Sequence, residues 1–143
     1  MKTRFRFEKL EVWQEARKSS GSIRRLTQKF TSHEMSGMTS QLRRAAVSIP
    51  SSIAEGSGRN SDRDFAHFLE QAHGSLMEVV SFLHLAMDES HLTQAQLDPL
   101  LNELEMPAKR ITALNRSLAV KTSKIPFMRR NGNTLDPRPP TPD

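Results

Sequence analysis

Two carboxylate–histidine pairs, Glu70-x-x-His73 and Asp88-x-x-His91, are the residues whose types and spacing come nearest to supporting a reaction. Side chains three apart share a helix face, and bundles that hold two metal ions use a Glu-x-x-His pair twice, with two further inward glutamates. The pattern is incomplete here. Asp88 and His91 fall at an expected helix end, and Glu70 and His73 lie beside an apolar stripe instead of in it. No serine or histidine is embedded in a nucleophile motif such as Gly-x-Ser-x-Gly, and Gly56-Ser57-Gly58 lacks the lysine and preceding strand of a phosphate loop. The expectation is a protein with no metal and no cofactor that is not an enzyme.

The basic residues suggest binding instead. Arg17 and Arg24 stand seven apart on the expected first helix, with Lys18, Arg25 and Lys29 at matching offsets, all opposite that helix's apolar seam. Such a ridge is either the ordinary solvated face of a bundle helix or a surface that tracks phosphates, releasing counterions as it binds. Trp13 is the one aromatic placed near it, so contacts to backbone or shape are expected over base readout. Arg43, Arg44, Glu55 and Arg59 have the same ambiguity. The i, i+4 spacing of Glu55 and Arg59 favours an ion pair, whereas Arg43, Arg44 and Arg59 also suit RNA or another anion.

Charge is distributed unevenly. The chain carries a net +5, but residues 1–63 hold 13 Lys and Arg against 6 Asp and Glu, residues 64–120 hold 3 against 8, and residues 121–143 hold 5 against 2. A basic half and an acidic half suit nucleic-acid contact and charge-matched association of subunits equally. With no cysteine, disulfides and thiolate metal sites are excluded, and the N-terminal MKTRFRFEKLEVW has no apolar run long enough for a signal peptide or a membrane span. A cytoplasmic protein without membrane contact is expected.

Four helices are needed to position these residues. The first spans about Glu8 to Phe30, with Val12, Ala16, Ser19, Ile23, Leu26 and Phe30 forming one seam. The second starts near Thr31, where Thr31 and Glu34 have capping-box spacing, and ends in the turn at Gly56 to Gly58. The third starts at Ser61, with Asp64 three residues on, and carries Phe65, Leu69, Ala72, Leu76, Val79, Val80 and Leu83. The fourth starts either with Thr93 and Gln96 as a capping box or with Asp98 and Pro99, and its stripe of Leu97, Leu100, Leu101, Leu104, Ala108, Ile111 and Leu118 crosses Pro107, where a bend is expected. Strand signals are nearly absent. Short connections force neighbouring helices antiparallel, so the expected fold is an all-α, up-down-up-down four-helix bundle over residues 1–120. Residues 121–143, rich in proline, are expected as a disordered tail, whose Lys121, Lys124, Arg129 and Arg130 are either merely solvated or bind RNA or a partner.

The second helix has two apolar sides. Leu42, Ala46, Ile49 and Ile53 keep a helical period through Pro50, while Val47, Pro50 and Ala54 lie about a third of a turn away. The second set is either the edge of a wide core stripe or a subunit interface of small residues. Gly74 adds to the interface reading, since a mid-helix glycine costs about 1 kcal/mol relative to alanine and close approach of a partner backbone is one reason to keep it.

The stretch QLRRAAVSIPSSIAEGSGR from Gln41 to Arg59, followed by Phe65, Phe68, Leu69 and Gly74-Ser75-Leu76, closely resembles the bacterial four helix bundle protein family, also called the intervening-sequence or ribosomal-insertion protein family. The resemblance implies an antiparallel bundle that assembles as a homo-oligomeric ring of five. Some members are encoded in insertions within large-subunit ribosomal RNA genes and are suspected of binding RNA. A related branch includes the accessory bundle protein of diversity-generating retroelements, which binds nucleic acid and a reverse transcriptase. The chain departs from the family pattern at Thr31, Ser52 and Pro107. The resulting expectation is a non-enzymatic pentameric scaffold that binds structured RNA, with a protein-binding adaptor ring, docking a partner such as a polymerase, as the alternative.

Overall fold

A computed structural model describes residues 2–30 and 36–123. The chain first makes a 3-10 turn, Arg6–Lys9, and then four helices: α1 (Glu11–Thr27), α2 (Ser36–Ser57), α3 (Asp62–Asp88) and α4 (Gln94–Ser123). Among the described residues there is no strand. Each helix packs on its neighbour in the chain and α1 closes onto α4, while the diagonal pairs make no comparable contact. This is the arrangement of a four-helix bundle.

The expected seams form the core. Leu42, Ala46, Ile49 and Ile53 of α2 are buried with Leu69, Ala72, Leu76 and Leu83 of α3 and with Leu97, Leu104 and Ile111 of α4. Phe30 at the end of the α1 seam, Val80 of α3 and Leu101 and Ala108 of α4, all expected in the seams, are only partly buried against the core. Pro50 lies inside α2, and α4 runs unbroken through both Pro99 and Pro107.

Helix ends follow local hydrogen bonding. At α3, Ser61 Oγ accepts the Asp64 N–H at 3.1 Å. At α4 the capping box prevails over a start at Asp98: Gln96 N–H donates to Thr93 Oγ1 at 3.3 Å and Thr93 N–H to Gln96 Oε1 at 2.8 Å. The first helix begins three residues later than expected, at Glu11, because Glu8 is used elsewhere. Its carboxylate accepts the Phe5 N–H at 3.0 Å, closing a separate turn before Leu10 extends the chain. The expected capping box at Thr31 and Glu34 lies outside the described residues. So does the expected tail from residue 124 onward, but the backbone of residues 121–123 is helical, with no helix breaker before Pro126.

Small residues bring α2 and α3 together. Ser48 Oγ lies 2.9 Å from Ser75 Oγ, and a Cβ added to Gly56 would come within 2.6 Å of Phe68 Cβ. Polar groups join α1 to α4. Arg110 pairs with Glu11 at 2.8 Å and with Glu15, and Ser22 Oγ donates to Glu103 at 3.0 Å. Because Arg110 is substantially exposed, these pairs contribute no more than about 1 kcal/mol each, and their main effect is to fix the register of α4 on α1. In the same seam the Ser19 hydroxyl and Glu15 Oε2 are buried without a hydrogen-bond partner among the described residues.

The end of α3 contains one strained residue. His91 N–H reaches back to Ala86 O and Ser90 N–H to Met87 O, both at 2.9 Å, in the paired bonds of a Schellman turn. Ser90 takes φ 65°, the position normally given to glycine. Ser90→Gly is expected to stabilise the fold by about 0.5–1 kcal/mol, because the left-handed strain removed exceeds the added entropy of the unfolded chain. Thermal unfolding checks this, and a lowered midpoint would contradict it.

Candidate nucleic-acid interface

The expected basic ridge of α1 divides into two sides. Arg17 and Arg24, with Ser20 and Gly21 between them, meet Arg43, Val47 and Pro50 of α2 around a cleft of about 180 Å³. Arg25 and Lys29 turn the other way, lining a groove of about 520 Å³ with Gln96 and Leu100 of α4. The reason is rotational. Residues 17 and 24 fall nearly on one line of the helix, and residues 18 and 25 follow a line about 100° away. Lys18 and Arg44 are exposed and line neither space.

Arg43 is the positioned member of the cleft. Its Nε donates to Thr27 Oγ1 at 2.8 Å, and the buried Thr27 hydroxyl donates in turn to Arg24 O at 3.0 Å. An arginine of α2 is thereby tied to the backbone of α1 beside Arg24. No carboxylate lines the cleft. Among the described residues, the acid–base pairs are Glu55 with Arg59, Glu89 with His91, Glu105 with Lys109, and Arg110 with Glu11 and Glu15, so none uses Arg17, Arg24 or Arg43. Three arginines that line one cleft with no carboxylate among its lining residues give it a positive potential, which favours an anion there.

Arg59 is held away from this cleft. It pairs with Glu55 at 3.2 Å and stacks over Phe68, with its guanidinium carbon 4.8 Å from the ring centroid. Gly74 is remote as well: it is exposed on α3, and a Cβ there would meet nothing within 4 Å. Of the residues expected at a subunit interface, Val47 is 54% exposed, while Pro50 and Ala54 are half-buried. Val47 and Pro50 form the apolar part of the arginine cleft, so residues assigned to separate roles from the sequence share one site.

Trp13, expected near the basic ridge, adjoins this site together with two aromatic residues that the sequence reasoning missed, Phe5 and Phe7. Arg17 lies over the Trp13 ring at 5.5 Å, Trp13 meets the edge of Phe7 at 4.8 Å, and Phe7 stacks with Phe5 at 6.2 Å with their planes 9° apart. The alternation of Arg4, Phe5, Arg6 and Phe7 was the available signal, but which way these side chains face depends on a turn that the sequence pattern did not indicate.

The carboxylate–histidine pairs stay apart. Glu70 and His73 border a groove of about 450 Å³ between α3 and α4 with Thr112, Asn115 and Arg116. Glu70 and Asp88 are eighteen residues apart on one helix, about 27 Å at about 1.5 Å per residue, so the two pairs cannot share an ion. Among the described residues no group of three metal-binding side chains converges. Nor is any described helix long and apolar enough to cross a membrane.

The model of the 23S rRNA-intervening sequence proteins matches residues 8–113, from the 3-10 turn into the second half of α4. The chain belongs to this family. A structure of similar fold comes from Bacteroides thetaiotaomicron, a protein of unknown function from the S23 ribosomal protein family, with a TM-score of 0.67 and 23% identity over 73% of this chain and 98% of that one. No curated protein matches the sequence. The family match includes Arg17, Arg24, Arg43, Val47 and Pro50, whereas Phe5 and Phe7 precede it.

Proposed function

We propose that this member of the 23S rRNA-intervening sequence protein family is a non-enzymatic, cytoplasmic bundle that self-associates and binds structured RNA through the basic face of α1 and α2. The observation that carries this reading is the cleft in which Arg17, Arg24 and Arg43 converge with no carboxylate among its lining residues. Guanidinium groups suit phosphate by geometry and by permanent charge, and Ser20 adds a hydroxyl at the same surface. Arg25 and Lys29 on the α4 side, with Lys18 and Arg44, extend the positive surface so that a folded RNA meets cations on more than one side of the bundle.

Self-association rests on the apolar residues left outside the core, above all Val47, together with Pro50, Ala54 and Gly74. A ring of subunits, five by family resemblance, would present several copies of one modest phosphate contact and gain affinity through avidity. The exposure of Val47 beside the arginines also favours a second reading, in which the cleft docks an acidic segment of a partner protein.

Filter binding of a structured RNA across a salt series separates the two. Phosphate contact predicts an affinity that falls steeply with salt, by about 0.7–0.9 logarithmic units per contact for each tenfold rise. Weak, salt-insensitive retention would overturn the RNA reading and leave the adaptor. Light scattering of the same sample is expected to give a mass above one chain, and a single-chain mass would remove self-association.

A further inference from the structure

Phe5 is 64% exposed, and its position is built by several contacts. Glu8 accepts the Phe5 N–H at 3.0 Å and the Arg4 N–H at 3.4 Å, and Gln14 Nε2 holds Glu8 O at 2.8 Å, so the turn is tied to α1. Arg6 ties it to the opposite side of the bundle. Its guanidinium lies 5.6 Å from the Phe65 ring centroid and donates to Ser57 O at 3.4 Å. A turn fastened both to α1 and to the α2–α3 end holds its outward ring in one place.

The structure assigns this ring a use: we propose that Phe5, backed by Phe7, is a stacking platform for an unpaired nucleobase, and that the adjoining strand runs along Trp13 toward Arg17 and the arginine cleft. This rests on the RNA-binding reading above and specifies its ligand as RNA with a single-stranded end or loop beside the folded part. One face of Phe5 stacks on Phe7 with the planes nearly parallel, and the remaining exposure leaves room for a flat aromatic group. A base satisfies that geometry without hydrogen-bond readout, so the platform tolerates any sequence.

Charge singles out nucleic acid as the occupant. Lys2 and Arg4 are exposed beside Phe5, and Glu8, the acidic residue of the turn, has its carboxylate occupied by two backbone N–H groups. At its other end the aromatic run meets Arg17, which belongs to the cleft. Rings that merge into cations are the arrangement used to hold single strands.

The test compares two labelled RNAs by fluorescence anisotropy, a blunt duplex and the same duplex with an oligoadenylate overhang. The wild type is expected to bind the overhang RNA more tightly. Phe5→Ala should weaken overhang binding about tenfold and leave the blunt duplex within about twofold. Phe5→Leu, which keeps apolar bulk but removes the flat face, should behave like Phe5→Ala, and Phe5→Trp should bind like the wild type. Overhang binding unchanged in Phe5→Ala or retained in Phe5→Leu would overturn the platform while salt-dependent duplex binding keeps the broader reading. Failure of the wild type to bind either RNA would overturn both.

Discussion

Alanine at Gly56 is expected to destabilise the fold by about 2 kcal/mol, while the same substitution at Gly74 is expected to stabilise it by about 1 kcal/mol. Both glycines lie in helices, and intrinsic propensity favours alanine at each, less so at Gly56 because it stands in the last turn of α2. Packing reverses the sign at Gly56. Its new methyl group would lie 2.6 Å from Phe68 Cβ and 2.9 Å from Phe65 Cδ2, and a Cβ moves only if α3 moves with it. At Gly74 the methyl group would meet nothing within 4 Å. For a chain of this size the midpoints should move by about 8 °C down and about 4 °C up. Far-UV circular dichroism during heating reads both. A stabilised Gly56→Ala would show that α2 and α3 are not in this close contact. Light scattering of Gly74→Ala adds a second reading, since a variant that melts higher but assembles less places Gly74 at a subunit contact.

That contrast marks what a sequence can and cannot reveal about this chain. The seams of all four helices follow from apolar spacing, including the one through Pro50, because the rule relating spacing to a buried face needs no knowledge of neighbours. Gly56, read as part of a terminal turn, is a contact residue, and only the approach of Phe65 and Phe68 from another helix shows it. The same holds for the α1–α4 clamp, where Arg110 and Glu15 are ninety-five positions apart. Single residues of the site were legible as a basic face and as a second apolar side. Their convergence was not, since the rotation of α1 against α2 decides that Arg17 and Arg24 meet Arg43, Val47 and Pro50 while Arg25 turns toward α4. Phe5 and Phe7 were missed for a local reason: they precede the expected start of α1 at Glu8, and the directions of their rings are set by the separate turn that the Glu8 carboxylate closes.

The cleft itself is open to a quantitative challenge. Replacing Arg17, Arg24 and Arg43 together by glutamine is expected to weaken RNA binding about 500-fold at about 0.1 M salt, because releasing the counterions of one phosphate contributes about eightfold and the losses multiply over three contacts. The slope of log affinity against log salt should become shallower by about 2–3 units for the same reason. Glutamine keeps a polar, N–H-donating side chain while removing the charge, although it is shorter than arginine and has two donors in place of five. At Arg43 the bond to Thr27 is also at risk, and an unfolding curve within about 1 kcal/mol of the wild type shows that the scaffold is intact. The matched control removes Lys18, Arg25 and Lys29, an equal charge taken from outside the cleft, on α1 and just after its end. If both triple variants lose the same affinity, the bundle attracts RNA through its total charge and the cleft has no special part. If the cleft variant alone collapses, the three arginines act as a site, and their lack of a carboxylate partner is explained by the phosphate they hold.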